Sequence, residues 1–382
     1  MKMFKKAIAF AAMGATVLSL AACGSSESGS TNSNGDEVTK ISLYSSGSQN
    51  VEMFWEKVVG DFEKENKNID VDFVFVPSGT GGQATIDKIV AAKKSGKDSK
   101  VDLYEGQLAD IVRSNEEGGL FYSLDETGIP NLKNVQEANM KGTNNIAVPY
   151  RAASVVLAYN SEKVKDVPNT ADEMYQWIKD HPGRFAYNDP STGGSGSSFV
   201  LSTIYNQLPA DAMNSQDESI MKDWNKGFGI LKDLAPHLYK EGVYPKKNQG
   251  TLDLLANGEV DMIPVWSDMA LEQLNKKLLP ESTKLKQIDP AFTGGPSYMM
   301  APDNGDEKRK EAAQTFMNYI LTKEVQQTVM DQMYGYPGIK WEHLSKEDQE
   351  RFADVSGGYR IFNGGALSEE LTKQWQREIP TR

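Results

Sequence analysis

The chain has 382 residues, of which 39% are hydrophobic, and a formal net charge of −12, a composition typical of a globular protein. The acidic balance disfavours nucleic acid and direct adsorption to anionic lipid, because like charges repel. Beyond the N-terminal segment no apolar run is long enough to span a bilayer, which excludes a polytopic membrane protein.

The first 22 residues have the pattern of a secretory signal peptide. Three lysines precede an apolar run that ends at Ala22, and the only cysteine of the chain, Cys23, follows small residues. The stretch Leu20–Gly24 resembles a bacterial lipobox, which implies that Cys23 is lipidated and becomes the new N-terminus. The alternative is an ordinary signal peptide with a chance cysteine. Removal of residues 1–22, which hold three lysines and no acids, brings the formal charge from −12 to −15.

A polar segment follows the cysteine. Residues Gly24–Asp36 are rich in Gly, Ser, Asn and Thr, which is typical of a flexible chain, so we expect residues 23–37 to tether the protein to its lipid. A lipidated Cys23 leaves no free thiol, so we expect no disulfide and no thiol chemistry.

The remaining chain has roughly 345 residues. A single hydrophobic core usually does not serve so many, so we predict two lobes.

Strands and amphipathic helices alternate after this segment. Apolar runs and period-two patterns predict strands at Ile41–Tyr44, Ile69–Val76 and Val101–Tyr104. Helical spacing predicts a helix at Val51–Lys64, a second around Ile86–Val90 and a third around Leu108–Val112. This order predicts an α/β fold with mostly parallel sheets covered by helices.

A long apolar stretch, 146–159, is predicted to cross from the first lobe into the second. Beyond it we expect strands at Arg184–Tyr187 and Val260–Trp266, helices at Met174–Ile178, Phe199–Leu208 and Leu252–Ala256, a return crossing at Phe292–Ala301, and helices from Glu307 onward. The predicted boundaries are 38–148 for lobe 1, 149–291 for lobe 2, and 292–382 for the return crossing and the helices that complete the lobes.

Signatures of catalysis are missing from the sequence. The three histidines, His181, His237 and His343, have no metal-ligand spacing, and there is no Gly-x-Ser-x-Gly elbow, Walker loop or EF-hand loop. We therefore expect no metal and no cofactor, and a protein that is not an enzyme. Distant carboxylates could still meet in space, so a surface-anchored hydrolase stays an alternative.

Two Gly/Ser-rich loops, Ser78–Gln83 and Asn188–Ser198, each lie between a predicted strand and a helix. Ligands of open α/β sheets bind beyond the carboxyl ends of strands, where helix N-termini present free N–H groups. Small residues allow a ligand to approach the backbone, and hydroxyls add hydrogen-bond partners. The pair of loops therefore favours a ligand site over two flexible surface loops.

Several larger side chains share this position at strand ends. Trp266 and Asp268 follow a predicted strand, and Glu105 follows another. Arg151, next to Tyr150 inside the apolar crossing, needs a charged partner, either a buried acid or an anionic ligand. A core position for Trp266 and a buried ion pair for Arg151 are the alternatives.

These features together resemble the solute-binding component of a bacterial ABC importer. The most specific parts are Val148–Arg151 running into Val155–Asn160, and Pro182–Phe185 leading into Asn188–Phe199, which are similar to family 1 binding proteins of the thiamine, polyamine and iron type. The resemblance implies a type II "Venus flytrap", in which two α/β lobes close on a ligand in the cleft. It also implies the following ligand-binding residues by position: Ser46, Thr80, Gln83 and Glu105 in one lobe, Thr192, Ser197, Trp266 and Asp268 in the other, and Tyr150 and Arg151 near the hinge.

The expected function is therefore capture of a small solute and its delivery to an ABC permease and its ATPase subunits. We expect a monomer outside the cytoplasm that contacts the membrane only through its lipid, at the cell surface or on the periplasmic side. Two helix N-termini and Arg151 favour a polar or anionic solute. If the main contacts to the solute came from Glu105, Asp268 and Trp266 instead, we would expect a cation, as in a polyamine receptor. A sensory lipoprotein on the same fold is a further alternative.

Overall fold

A computed structural model describes residues 37–47, 49–77, 81–353, 355 and 358–379. The predicted signal peptide, Cys23 and nearly all of the predicted tether lie outside these residues, as does Thr80. The strands are β1 (Thr39–Gly47), β2 (Ile69–Pro77), β3 (Leu103–Gly106), β4 (Val148–Asn160), β5 (Met262–Trp266), β6 (Thr283–Lys286), β7 (Gly294–Met300) and β8 (Tyr336–Pro337).

The strands form one continuous path in the order β2-β1-β3-β7-β4-β5, with β6 and β8 also paired to β4. Strand β1 runs parallel to β2 and β3, with Leu43 opposite both Phe73 and Leu103. Strands β7 and β4 add antiparallel pairings. We call the part built on β1, β2 and β3 the first lobe, and the part built on β5 and β6 the second lobe.

Strand β4 serves both lobes. Its first half, from Val148 to Ser154, pairs with β7, and its second half, from Val155 to Asn160, pairs with β5 and β6. This division is possible because 13 mostly apolar residues, long enough to cross from one lobe to the other, form a single strand.

The α-helices cover both faces of the sheet. They are α1 (Gln49–Glu65), α2 (Gly81–Ser95), α3 (Leu108–Glu116), α4 (Glu137–Met140), α5 (Ala171–Asp180), α6 (Ser195–Tyr205), α7 (Asn225–Leu234), α8 (Lys247–Ala256), α9 (Ser267–Asn275), α10 (Glu307–Ile320), α11 (Lys323–Gln332), α12 (Lys346–Arg351) and α13 (Leu367–Glu378). Short 3₁₀ turns connect several of them.

Each lobe has its own buried core. In the first lobe, α1, α10 and α11 pack on one face of the sheet through residues such as Phe54, Phe62 and Phe316, while α2 and α3 cover the other face. In the second lobe, α5, α6, α7 and α13 enclose a core that includes Phe199 and Trp375. Burial of such aromatic side chains supplies much of the free energy of folding.

The α/β architecture with a helical C-terminal part agrees with the sequence prediction, with two differences. The pairings of β4 and β7 are antiparallel, because both strands connect the lobes in opposite directions; the sheet is therefore less parallel than predicted. The predicted strand Arg184–Tyr187 is wrong: among the described pairings it makes one bridge, from Phe185 to Met262, and the peptide oxygen of Phe185 instead accepts the N–H of Tyr239. The strands β6 and β8 and the helices α4 and α7 were not predicted from the sequence.

Candidate functional site

The carboxylate of Glu105, at the end of β3, is the centre of a buried hydrogen-bond cluster. Its side chain is 3% exposed. One oxygen accepts the Ser45 hydroxyl and, at 2.9 Å, the indole N–H of Trp55. The other accepts the Tyr150 hydroxyl at 2.5 Å and the Arg151 guanidinium at 3.3 Å. Because four donors occupy the two oxygens, Glu105 has little capacity left for a ligand. We call Glu105 with Ser45, Trp55, Tyr150 and Arg151 the hinge cluster.

Arg151 joins this cluster to the second lobe. Its Nε donates to the Tyr150 hydroxyl at 2.8 Å, and its side chain is 15% exposed. Burial acts to lower the pKa of Arg151, but the oxygens of Tyr150 and Glu105 and the carboxylate of Asp268 raise it above the ordinary value. The guanidinium is therefore a permanent cation between a carboxylate of the first lobe and one of the second.

Asp268, in the first turn of α9, is half-buried and has fewer partners than Glu105. Its carboxylate accepts the backbone N–H of Met269 at 2.9 Å. Burial raises the pKa of Asp268, and the charge of Arg151 only partly opposes this rise. When all three groups are ionised, Glu105, Arg151 and Asp268 together carry one net negative charge.

A cavity of about 280 Å³ lies beyond the end of β3, between the lobes. Its wall in the first lobe is the start of α3 with Gln107, and its wall in the second lobe contains Trp266 and Phe362. Residues 293–296, at the start of β7, complete the lining. The hydroxyl of Tyr298, which also lines the cavity, is buried and has no hydrogen-bond partner among the described residues. We call this cavity the cleft.

The predicted ligand loop Asn188–Ser198 satisfies its own hydrogen bonds. The buried amide of Asn188 donates to Asp189, Thr192 and Gly193, and its oxygen accepts the Ser195 hydroxyl and, at 2.7 Å, the N–H of Gly196. A Cβ on Gly196 would lie 1.8 Å from the carbonyl oxygen of Asn188, so this contact requires glycine. The first amides of α6, which sequence reasoning offered to a ligand, are thus held by side chains.

The remaining predicted residues are spread around this region. Ser46 is half-buried at the end of β1, and exposed Gln83 donates to Asp87 on α2. Thr192 donates to the carbonyl of Asp189, and Ser197 to that of Pro190, at 2.8 Å. None of these four residues lines the cleft.

The structure therefore brings together Glu105, Tyr150, Arg151 and Asp268, but among the described predicted residues only Trp266 lines the cleft. Sequence reasoning missed Gln107, Tyr298 and Phe362. The pair Gly294-Gly295, inside the predicted return crossing, was an available signal, because paired glycines in a strand often mark a close approach of a ligand or another backbone.

Within the described ranges, no group of three or more His, Cys, Asp or Glu side chains is arranged to hold a metal ion. In the same part of the chain, no helix has both the length and the apolar character needed to cross a bilayer.

The sequence profile of the bacterial extracellular solute-binding proteins matches residues 57–375 of this chain. The match covers more than half of the chain, and the chain therefore belongs to that family. Membership confirms three predictions: the protein binds a solute, it acts outside the cytoplasm, and it is not an enzyme.

Solved structures share the fold over nearly their whole length. A Bordetella parapertussis protein described as an extracellular solute-binding protein superposes with a TM-score of 0.72 at 18% identity, over 89% of this chain and 99% of its own. A maltose-bound protein of T. maritima gives a TM-score of 0.69 at 15% identity, over 90% and 95%. The spermidine/putrescine ABC transporter substrate-binding protein of Streptococcus pneumoniae gives 0.66 at 17% identity, over 89% and 99%. At these identities the likeness establishes the two-lobed fold.

Proposed function

We propose that this protein captures a small polar solute in the cleft and delivers it to the permease of an ABC importer. The observation that carries the proposal is that the cleft has walls from both lobes, with Gln107 on one side and Trp266 on the other. A solute held there contacts both lobes at once.

Closure of the lobes on the solute is the mechanism that this geometry supports. Contacts to both lobes form together only in one relative arrangement, so the solute shifts the population toward that arrangement. The connecting strands β4 and β7 are the elements about which the lobes would turn. The closed form would then be the one that the permease recognises.

The charges near the cleft support a solute that donates hydrogen bonds to Asp268, such as an amine or another cation. Arg151 already faces Glu105, and the first amides of α6 are occupied, which removes two of the reasons to expect an anion. Asp268, two residues after Trp266 in the chain, retains accepting capacity, and the aromatic face of Trp266 on the cleft attracts a cation. An anionic solute held by Arg151 and the start of α2 is the second candidate.

We further propose that the protein is a monomer tethered by a lipid on Cys23. The lipobox-like sequence and the polar segment after it support this proposal. A tether holds the receptor near its permease and raises their effective concentration without any contact between them. A diacylglyceryl group supplies two acyl chains, enough for stable anchoring.

The direct test is native mass spectrometry of freshly purified protein, followed by calorimetry with the solute that it releases. We expect a small molecule that binds reversibly and is recovered unchanged. Asp268→Asn should weaken binding of a cationic solute by at least about tenfold, because a charge-assisted hydrogen bond contributes about 1.5–3 kcal/mol. Glu272→Gln, which changes a half-buried carboxylate that pairs with Lys276 on the same helix, is the matched control.

Two results would contradict the proposal. A chemically altered product would indicate an enzyme, and a solute whose affinity does not respond to any change in the cleft would place binding elsewhere. Weaker binding in Arg151→Lys with no effect of Asp268→Asn would select the anionic candidate, since the planar guanidinium fits oxyanions better than an ammonium does.

A further inference from the structure

The chain enters the described structure at the end of the first lobe that lies opposite the cleft. The carboxylate of Glu37, the first described residue, pairs with the ammonium group of Lys308 at 2.7 Å, and β1 begins two residues later. The nine residues of β1 rise about 3.3 Å each and so span about 27 Å. Because β1 runs parallel to β3 and the cleft lies beyond the end of β3, the chain entry and the cleft are at opposite ends of these strands. We call the end with Glu37 the tether pole.

Three other segments meet at the tether pole. The start of α10 is one of them, since it contributes Lys308. The turn between α1 and β2 is the second, because the N–H of Thr39 donates to the carbonyl of Asn68 at 2.8 Å. The loop between α2 and β3 is the third, because its Asp98 binds Arg309 of α10 at 2.7 Å. The tether pole therefore comprises residues 37–40, 64–70, 93–102 and 303–310.

Exposed lysines are concentrated at the tether pole. Several of them pair with a neighbouring carboxylate, as Lys40 does with Asp70 at 3.1 Å. Lys67, Lys93 and Lys97, by contrast, are exposed and make no ion pair with another described residue. Their ammonium groups are therefore available to a partner.

The tether pole is positively charged in an acidic protein. Its residues include ten lysines and arginines against eight aspartates and glutamates, a formal charge of +2, whereas the mature chain carries −15. Glu117 of α3, which pairs with Lys94 at 2.7 Å, lowers the charge of this surface to +1. Interactions between exposed charges reach only about 8 Å at physiological salt, so an anionic surface placed against the tether pole interacts mainly with these local charges.

Helix dipoles explain part of this distribution. Lys64 and Lys93 belong to the last turns of α1 and α2, where a cation stabilises the C-terminus of a helix. Lys67 and Lys97 follow these helices in the chain. Because the effect of the dipole is confined to the last turn, the dipole alone does not account for these two lysines.

The length of chain outside the structure limits how far the tether pole can lie from the anchor. Glu37 follows Cys23 by 14 positions, and even a fully extended chain of that length spans only about 50 Å. The cleft is about 27 Å further away, at the other end of β1. If Cys23 carries a lipid, the tether pole is thus the part of the receptor that the anchor brings closest to the bilayer.

We propose that the tether pole rests on anionic lipid headgroups through Lys67, Lys93 and Lys97, with the cleft turned away from the bilayer, a proposal that rests on the lipid tether proposed above. Each lysine close to an anionic bilayer is attracted to it, and this attraction falls off within a Debye length. The tether keeps the lysines close enough to make the contact, although the net charge of the whole protein disfavours adsorption without it. The contact leaves the cleft accessible to a solute.

Lysine footprinting on vesicles tests this contact. Cys23 is the only cysteine, so the mature chain can be coupled through its thiol to a maleimide lipid, which imposes the tether however the cell processes the chain. We expect acetylation of Lys93 and Lys97 by N-hydroxysuccinimide acetate to be at least about fivefold slower on phosphatidylcholine vesicles that contain phosphatidylglycerol than on phosphatidylcholine alone. Lys222 and Lys226, exposed lysines of the second lobe, are the internal control and should react equally on both kinds of vesicle.

Charge variants and salt separate an oriented contact from general adsorption. Lys93→Gln/Lys97→Gln should return the reactivity of Lys67 to its value on neutral vesicles, and so should about 0.5 M salt, which shortens the Debye length. Lys222→Gln/Lys226→Gln, with the same loss of charge, should leave the protection of Lys67 unchanged.

Two results would overturn the proposal. Equal acetylation of Lys93 and Lys97 on the two kinds of vesicle would show that the tether pole does not bind lipid, and equal protection of Lys222 would show adsorption without orientation. The anchor itself is tested separately, by mass spectrometry of the protein isolated from its own membranes. A missing lipid on Cys23 would contradict the tether, whereas the footprint of the coupled protein would still decide whether the tether pole binds headgroups.

Discussion

The loop Asn188–Ser198 and the buried cluster around Glu105 and Arg151 were both predicted to bind the ligand, but they use their polar groups differently. In the loop, the amide of Asn188 is shared among its neighbours, and Thr192 and Ser197 donate to backbone carbonyls of the same loop. In the cluster, Glu105 is also fully hydrogen-bonded. The charge of Arg151, however, attracts the carboxylate of Asp268, which keeps capacity for a further donor.

The difference shows that polar residues which look alike as ligand candidates in the sequence can have two opposite roles. A loop whose hydrogen bonds are satisfied by its own neighbours has few polar groups left for a ligand, whereas a series of charges that ends in a half-buried carboxylate leaves one. Composition alone does not separate these roles, because the partner of each hydroxyl or amide is decided by the tertiary structure.

The largest expected effect is on the hinge cluster. Glu105→Gln replaces an acceptor of four donors by an amide and leaves Arg151 without its buried counter-charge, so we expect a loss of about 3–5 kcal/mol in the free energy of unfolding. Urea unfolding measures it. Glu259→Gln, at an exposed carboxylate that accepts the Tyr239 hydroxyl, should cost less than about 1 kcal/mol. Equal losses in the two variants would show that the cluster has no special structural role.

A second substitution addresses the loop. Asn188→Ala removes two acceptor contacts and three donor contacts inside the protein, and we expect a loss of about 2–3 kcal/mol in stability. Affinity for the solute released by the wild type should change less than about threefold, because the loop does not line the cleft. Ser191→Ala, exposed in the same loop, is the control. A loss of affinity without a loss of stability would make the loop part of the site.

The pH dependence of stability tests the burial of Asp268. The pKa of Asp268 is higher in the folded protein than its ordinary value of 3.8, so the folded state favours the protonated carboxyl. Its contribution to stability is therefore complete at a pH below 3.8 and is lost as the pH rises through the raised pKa. The difference in unfolding free energy between wild type and Asp268→Asn should therefore fall across this window, by about 1.4 kcal/mol for each unit that separates the two pKa values. Urea titrations at a series of pH values measure it, and a difference independent of pH would contradict the assignment.

The smallest effect is expected at Gln83. This exposed side chain donates to Asp87 on α2, and Gln83→Ala should change stability by less than about 0.5 kcal/mol. Affinity for the released solute is the informative measurement. A loss of about tenfold would place the start of α2 at the solute and favour the anionic candidate, whereas an unchanged affinity leaves recognition to Asp268 and its neighbours.

Sequence patterns predicted most elements because burial imposes a period on them. The expected strand at 41–44 is the buried centre of β1, and the expected return crossing contains β7. The Arg184–Tyr187 prediction failed because its apolar residues are buried without a strand ladder: Phe185 and Tyr187 pack against Phe199. Of the site, Arg151 and its acid partner were predictable from the cost of burying a charge. The sequence could not predict the cleft residues Gln107, Tyr298 and Phe362, because they are far apart in the chain. Strand pairing and the fold of the C-terminal segment bring them together.

The path of the chain between the lobes has a consequence for biosynthesis. The first core needs Phe316 of α10, and in the second core the indole of Trp375, on α13, donates to Tyr187 at 3.1 Å. A nascent chain therefore cannot complete the first core before α10 and α11 have been made, or the second before α13. Neither lobe corresponds to one contiguous fragment, so during secretion the polypeptide stays without a finished core until almost all of it has emerged.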